Sequence, residues 1–592
     1  MIDRATKLRF RRLYRRRRRQ VEDLGVSAEE NIELHFFKRL ARLADVRRFV
    51  VAWLLLVLLL IGGVIFQAKA LGKYYEVVKP QPGGVYTEGI LGQFTDANPL
   101  YASGAVDSAV SRLLFSSLFR YDDQNKLVGD LAQSITADDK GVVYTVHLKP
   151  RILWHDGMAL TSEDVAFTYK TIQNPDAKSS LGNSWQGITI ATPDRSTVVF
   201  TLPNPFSAFP QTLTNGIVPQ HLLNGIPVTR LRSIAFNTQD PIGSGPFKWE
   251  AVEVSGIDPA DREQRIALVP NEQYYAGKPQ LNKFIIRAFS DEKRLADSFS
   301  KQELTGAVGL TSVPEAGSKS YAQAYNIPLT GEVMVFFKSS DDIFADGKVR
   351  KALVMGANPG AIIQGLGFPV IVANEPLLKG QVGYDKTLVQ AGFNVAAANS
   401  LLDSDGWLKN DKGIRVKGGH PLSFKLFSQS NSEYAYVTQA LQKEWRAIGV
   451  DAQVILQQDT DLQTTISFHN YDALLYGVAI GSDPDVFAYW HSSQADVRSP
   501  NRLNLSEYKS SVADQALEAG RTRSDATLRT VKYRAFLDAW RNDAPALALY
   551  QPRFLYLTHG TVAGFKPDVM NASTDRFTNV QNWMIREGRV SK

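Results

Sequence analysis

Two hydrophobic periodicities alternate along most of this chain. Val142, Tyr144, Val146 and Leu148 interleave with Val143, Thr145 and His147, the period of two that predicts a half-buried strand. Pro150 cannot donate to a ladder and ends it, and Asp156-Gly157 supplies a turn. Thr161 then reads as a helix N-cap answered by Asp164, and Val165, Tyr169 and Ile172 form the apolar stripe of the helix that follows. The same alternation recurs on both sides. Val85–Leu91 predicts a strand, and Val106, Val110, Leu113 and Leu114 a helix. Tyr434, Val437, Leu441, Trp445 and Ile448 step along one helix face that Gly449 closes. Val450, Ala452, Val454 and Leu456 alternate as a strand, and the apolar run Tyr471–Ile480 predicts a strand buried on both faces. A last helix through Leu528, Val531, Ala535 and Leu537 precedes a strand over Ala544–Tyr550. Strands and helices in alternation predict an α/β fold.

The N-terminus obeys a different pattern. Phe49–Phe66 is an uncharged apolar run of 18 residues, which as a helix spans ~27 Å, close to a bilayer's hydrocarbon thickness. Residues 1–48 hold 15 Lys and Arg against 7 Asp and Glu, whereas the other 544 residues are balanced, 52 against 53. The basic pI therefore belongs to a tail. Arg15–Arg19 and Arg47-Arg48 flank the apolar run on one side, which places 1–48 in the cytoplasm and the bulk of the chain outside. A cell-membrane, single-pass localisation follows, with the basic tail touching anionic lipid rather than nucleic acid. Ser27-Ala28-Glu29-Glu30 opens a predicted amphipathic helix through Leu34, Phe37 and Leu40. Ala68-Lys69-Ala70 fits a cleavage pattern, but the long charged region before it favours an uncleaved signal anchor. Residues 67–82, with Pro80 and Pro82, read as a linker.

Catalytic and metal chemistry find little support. The chain has no Cys, so it offers neither disulfide, thiolate nor lipidated-Cys anchor. Its eight His are scattered, with no H-E-x-x-H and no EF-hand loop, and His155-Asp156 reads as turn chemistry. There is no P-loop and no G-x-G-x-x-G. Gly243-Ser244-Gly245 is not the G-x-S-x-G of a nucleophile elbow.

The strand, turn and helix around Trp154-His155-Asp156-Gly157, with Leu160-Thr161 and Asp164-Val165, resemble the signature of the extracellular solute-binding proteins of family 5, the peptide/nickel class that feeds ABC importers. Other stretches resemble the family in the same order: Asn98-Pro99, Leu118–Asp122, Gly243–Phe247, Asn271–Tyr275 with Gly277-Lys278-Pro279, Asp346–Met355, Ala396–Trp407 and Ala544–Tyr550. The resemblance covers about residues 83–565. It implies a two-lobed α/β fold of the periplasmic-binding-protein type (type II, large peptide-binding class), with lobe one at 83–330 and 546–592 and lobe two at 331–545, hinged near Thr330 and Pro545. It implies capture of a peptide or peptide-like solute as a monomer, without catalysis or cofactor, for permease and ATPase subunits on other chains. The alternative is a membrane-tethered sensor or assembly subunit. The family's nickel-binding branch is compatible with a chain lacking Cys, though no residue cluster argues for it. By the same resemblance Gln93, Phe94 and Thr95 face Val478, Ala479, Ile480 and Asp483 across the cleft. The sequence departs from the peptide-binding pattern there. Val478 stands where a Trp is usual and Gly481 where an Asp pairs with the ligand's α-amino group. The resemblance then implies a ligand without a free α-amino group, unless another carboxylate takes that place, Asp483 being the nearest.

Overall fold

A computed structural model describes residues 13–15, 17–18, 47–256, 262–314, 322–496, 499, 502–566 and 568–591. The amphipathic helix expected at 27–40, with Arg16 and Arg19 of the basic run, lies outside the described residues. One helix, Arg47–Tyr75, carries the apolar segment, and within it Phe49–Leu71 is long and apolar enough to cross a membrane. The expected linker at 67–82 is corrected. Gln67–Tyr75 contains no Pro and is rich in helix formers such as Ala, Leu and Lys, so the helix continues through it. Glu76–Gln81 is a strand that pairs with Arg586–Ser591.

The rest of the chain forms two lobes, each built on a mixed sheet. The first sheet has seven strands in the order 322–328, 553–559, 306–308, 85–91, 283–289, 263–270 and 247–255. Its centre is parallel: Val85–Leu91 runs alongside both Lys283–Phe289 and Gly306–Val308. The second has six strands, 371–372, 546–551, 331–337, 473–479, 423–429 and 451–457. Both sheets are covered on both faces. In Gly331–Phe337 the period of two sends Val333, Val335 and Phe337 into one core and Met334 and Phe336 into the other.

The chain crosses between these sheets at Leu329-Thr330 and returns at Pro552. The return expected near Pro545 is thereby corrected, because Ala546–Gln551 pairs antiparallel with Gly331–Phe337 and remains in the second sheet. Pro552, which has no N–H for a ladder, is where the strand breaks before Arg553–His559 joins the first sheet.

A four-stranded antiparallel sheet (132–137, 143–148, 197–201, 189–194) flanks the first lobe and carries the W-H-D-G segment. His155 is structural. Its Nδ1 accepts the Gly243 amide at 3.1 Å while its Nε2 lies 3.1 Å from the Gly245 carbonyl, an arrangement that requires the neutral ring. Burial holds its pKa down at about 4, in keeping with that tautomer. Gly243 is obligatory, since a Cβ there would meet the Leu114 carbonyl oxygen at 1.9 Å. Trp154 is buried in the same core.

The C-terminal segment is locked to strand Val85–Leu91 by a buried ion pair. Arg576 Nη2 meets Glu88 Oε2 at 2.7 Å, and Nε meets Oε1 at 3.2 Å. Tyr556 donates to Glu88 Oε1 at 2.7 Å, and its hydroxyl lies 2.6 Å from that of Tyr86. Glu88 and Arg576 are inaccessible to solvent, at 0% and 2%. Removing one member strands the other charge in a dry core. Arg576→Ala is therefore expected to destabilise by about 3–5 kcal/mol, measured as denaturant unfolding of the full-length protein in detergent. Arg576→Ala combined with Glu88→Gln should recover part of the loss. An unchanged midpoint in the single variant contradicts the pairing.

Candidate functional site

The two lobes meet at the end of the second sheet, where strand Ala473–Ala479 runs out into the loop 480–486. Thr330 holds this loop at the first crossing, its carbonyl accepting the amides of both Ile480 and Gly481 at 2.9 Å. Gly481 sits at φ +83°, which favours glycine, and its own carbonyl accepts Gln381 Nε2 at 2.7 Å. Ser482 Oγ donates to the Tyr121 hydroxyl of the first lobe at 3.1 Å. Next along the loop, Asp483 forms a bidentate pair with Arg529 at 2.8 and 2.6 Å. Asp485 takes Arg521 Nη2 at 3.1 Å. The Arg521 guanidinium lies 4.1 Å from the ring of Phe487 in its own lobe and 4.9 Å from that of Phe206 in the other. Ser207 donates to the Arg521 carbonyl through both its amide and its hydroxyl, each at 3.0 Å. Burial raises the pKa values of Asp485 and Tyr121.

The predicted cleft residues divide on inspection. Val478 is buried in the second-lobe core, Ile480 packs against the same core, and Ala479 is exposed with its carbonyl accepting from Tyr489 at 2.5 Å. On the first-lobe side Phe94 is buried 5.7 Å from the ring of Trp249, and its backbone amide and carbonyl are both taken by the Gln264 side chain at 2.8 Å. Thr95 donates to Asp107 through its amide (2.7 Å) and its hydroxyl (2.6 Å), and Gln93 is exposed. Among the described residues no hydrogen bond joins Gln93–Thr95 to Val478–Asp483; from the first lobe Tyr121 bonds Ser482 of that loop instead. Asp483 is engaged by Arg529 and is no free carboxylate for an amine.

Two carboxylates that periodicity alone passed over lie beside the loop. Glu332 stands opposite Val478 in the strand register and is inaccessible to solvent, and among the described residues neither of its carboxylate oxygens has a hydrogen-bond partner. Glu375 accepts the Asp385 amide at 3.1 Å through Oε1, and among the described residues its Oε2 has no partner. Burial, and then the charge of Glu375, push Glu332 well above the carboxylate range. Burial raises Glu375 to about 8. Both are therefore held as neutral acids at neutral pH. A glutamate inside the otherwise apolar stretch Gly331–Phe337 was the visible signal in the sequence.

A cavity of about 540 Å³ opens between the lobes. Thr311, Asn326 and Arg553 line it from the first, and Phe368, Glu433 and Tyr436 from the second. Both an Arg and a Glu reach it, so it can hold a solute through charge as well as through apolar contact. Among the described residues no group of three or more His, Asp or Glu is placed to hold a metal ion.

Comparison with known proteins gives these features a context. The model of the bacterial extracellular solute-binding proteins, family 5, matches residues 126–499. The oligopeptide-binding protein AppA of Bacillus subtilis is 26% identical over 523 residues, covering 86% of this chain and 92% of AppA. Its structure with a nonapeptide superposes with a TM-score of 0.70 over 86% of this chain and 100% of that one, at 25% identity. NikZ of Campylobacter jejuni, solved with Ni(L-His), gives 0.72 at 25% identity, covering 85% and 99%. The probable D,D-dipeptide-binding periplasmic protein DdpA of Escherichia coli is 23% identical over 474 residues, 76% of this chain and 84% of DdpA.

The raised pKa of Glu375 fixes the sign of a pH effect. A carboxyl that keeps its proton in the folded state contributes stability that is fully present below its unfolded pKa and is lost as pH rises to about 8. Glu375→Gln keeps the neutral form at every pH. The variant should gain on the wild type as pH rises from 5 to 9, read from urea midpoints. Parallel pH profiles contradict a neutral Glu375.

Proposed function

The chain belongs to the bacterial extracellular solute-binding proteins of family 5, and from that membership we propose that it captures a peptide or peptide-like solute outside the cytoplasm for an ABC importer. The observation that carries the reading is the seam between the lobes, where a cavity of about 540 Å³ takes its lining from both sides. That volume falls within the range of about 300–1,000 Å³ common for small-ligand sites. A solute held there contacts both lobes at once, so it favours the closed arrangement by its own differential contacts.

The other parts fit this role. Phe49–Leu71 serves as the anchor, with the basic tail in the cytoplasm and the lobes outside. The permease and ATPase subunits are supplied by other chains, and the protein acts as a monomeric binder rather than an enzyme. The carboxylates of the loop 480–486 are already paired, Asp483 with Arg529 and Asp485 with Arg521, which leaves the solute to the cavity.

Full-length protein purified in detergent and then denatured is expected to release a peptide or peptide-like solute, detected by mass spectrometry. The stripped, refolded protein should rebind it one to one. Release of no such molecule, with no heat on titration with a mixture of peptides of two to nine residues, overturns the reading.

A further inference from the structure

Two opposite charges line the interlobe cavity, one from each lobe, and neither is neutralised by the other. The Arg553 guanidinium stands over the Phe368 ring, 3.5 Å from its centre. Its Nη2 donates to the Thr311 carbonyl at 2.8 Å and its Nη1 to Asn326 Oδ1. A guanidinium has five N–H groups in a fixed fork, so these bonds orient it and leave donors for a ligand. Across the cavity Glu433 Oε1 accepts from Tyr550 at 2.7 Å, and among the described residues Oε2 has no hydrogen bond. No ion pair within 4.0 Å joins Arg553 and Glu433 among the described residues. They are nevertheless near enough for charge coupling: burial lowers the pKa of Arg553, and Glu433 opposes that shift.

Such a cavity discriminates by charge at both ends. A ligand carrying only a carboxylate brings it towards Glu433 as well as Arg553, and a ligand carrying only an ammonium meets the reverse problem. A ligand bearing both charges satisfies both walls and excludes water from a fork that is already oriented. Resting on the reading of this chain as a peptide-type solute-binding protein, we propose that the cavity takes a short zwitterionic peptide of two or three residues, its carboxylate on Arg553 and its ammonium on Glu433. Amine recognition, which Gly481 and the engaged Asp483 do not supply, is moved to the wall at Glu433. One ligand thereby ties the first lobe to the second.

The test is calorimetry on the stripped full-length protein with dialanine, N-acetyl-dialanine and dialanine amide. Blocking either end should weaken binding to the wild type tenfold or more. In Arg553→Gln, dialanine and its amide should bind alike while acetylation still weakens binding. In Glu433→Gln the pattern should reverse. Arg553→Lys, which keeps the charge, should retain both discriminations and so separates loss of charge from loss of fold. If either block leaves wild-type affinity unchanged, or if both glutamine variants keep both discriminations, the assignment is overturned. It is also overturned if neither dialanine nor trialanine binds while longer peptides bind, although the parent reading then stands. Failure of every peptide from two to nine residues removes the parent reading as well.

Discussion

Thr330 ties the two lobes together at the first crossing. Its amide donates to the Met570 carbonyl at 2.8 Å and its hydroxyl to Asn571 Oδ1 at 2.6 Å, both in the first lobe. Its carbonyl accepts from Ile480 and Gly481 in the second. One residue beside it, the Leu329 amide donates to the carbonyl of Pro552, so the two crossings are bonded to each other. Two adjacent strands of chain joined in this way can absorb a rotation in a few φ and ψ angles while each sheet, buried on both faces, moves as a unit. Other contacts across the seam are of a different kind. Tyr121–Ser482 is a single hydrogen bond, Ser207 bonds the Arg521 carbonyl through its amide and hydroxyl, and Arg521 over Phe206 and Arg553 over Phe368 are cations over rings, so all of them can part without uncovering a core.

The architecture was legible in the sequence because it depends on repeated burial. Period-two and helical patterns gave the elements, and the ordered motifs gave their assembly. What escaped was where chain leaves one sheet for another. Ala544–Tyr550 reads as a strand in either lobe, and only the partner strand decides that 546–551 belongs to the second. Similarly, Pro80 and Pro82 suggested a linker over 67–82, but Gln67–Tyr75 carries no Pro and its one glycine, Gly72, does not stop the helix.

The site was less legible, for a physical reason. Charged groups that meet at the site come from residues distant in sequence, such as Asp483 with Arg529 in the loop or Arg553 and Glu433 in the cavity lining, and no local period marks them. Phe94, placed at the cleft by resemblance, is instead a core residue whose backbone is satisfied by Gln264. At the position of the missing Asp, Gly481 offers no carboxylate, and the nearest one, Asp483, is paired with Arg529. Glu332 and Glu375 do not fill that place as anions, since burial keeps both protonated.

The central claim is that a solute draws the lobes together about Thr330 and Pro552. The chain has no Cys, so single cysteines can be introduced at exposed Lys301 in the first lobe and Lys443 in the second and spin-labelled without background. Electron–electron double resonance on the stripped full-length protein should give a broad distribution of separations. Saturation with a mixture of peptides of two to nine residues should shift and narrow it to a single distance. Identical distributions with and without peptide would contradict hinge closure on a solute.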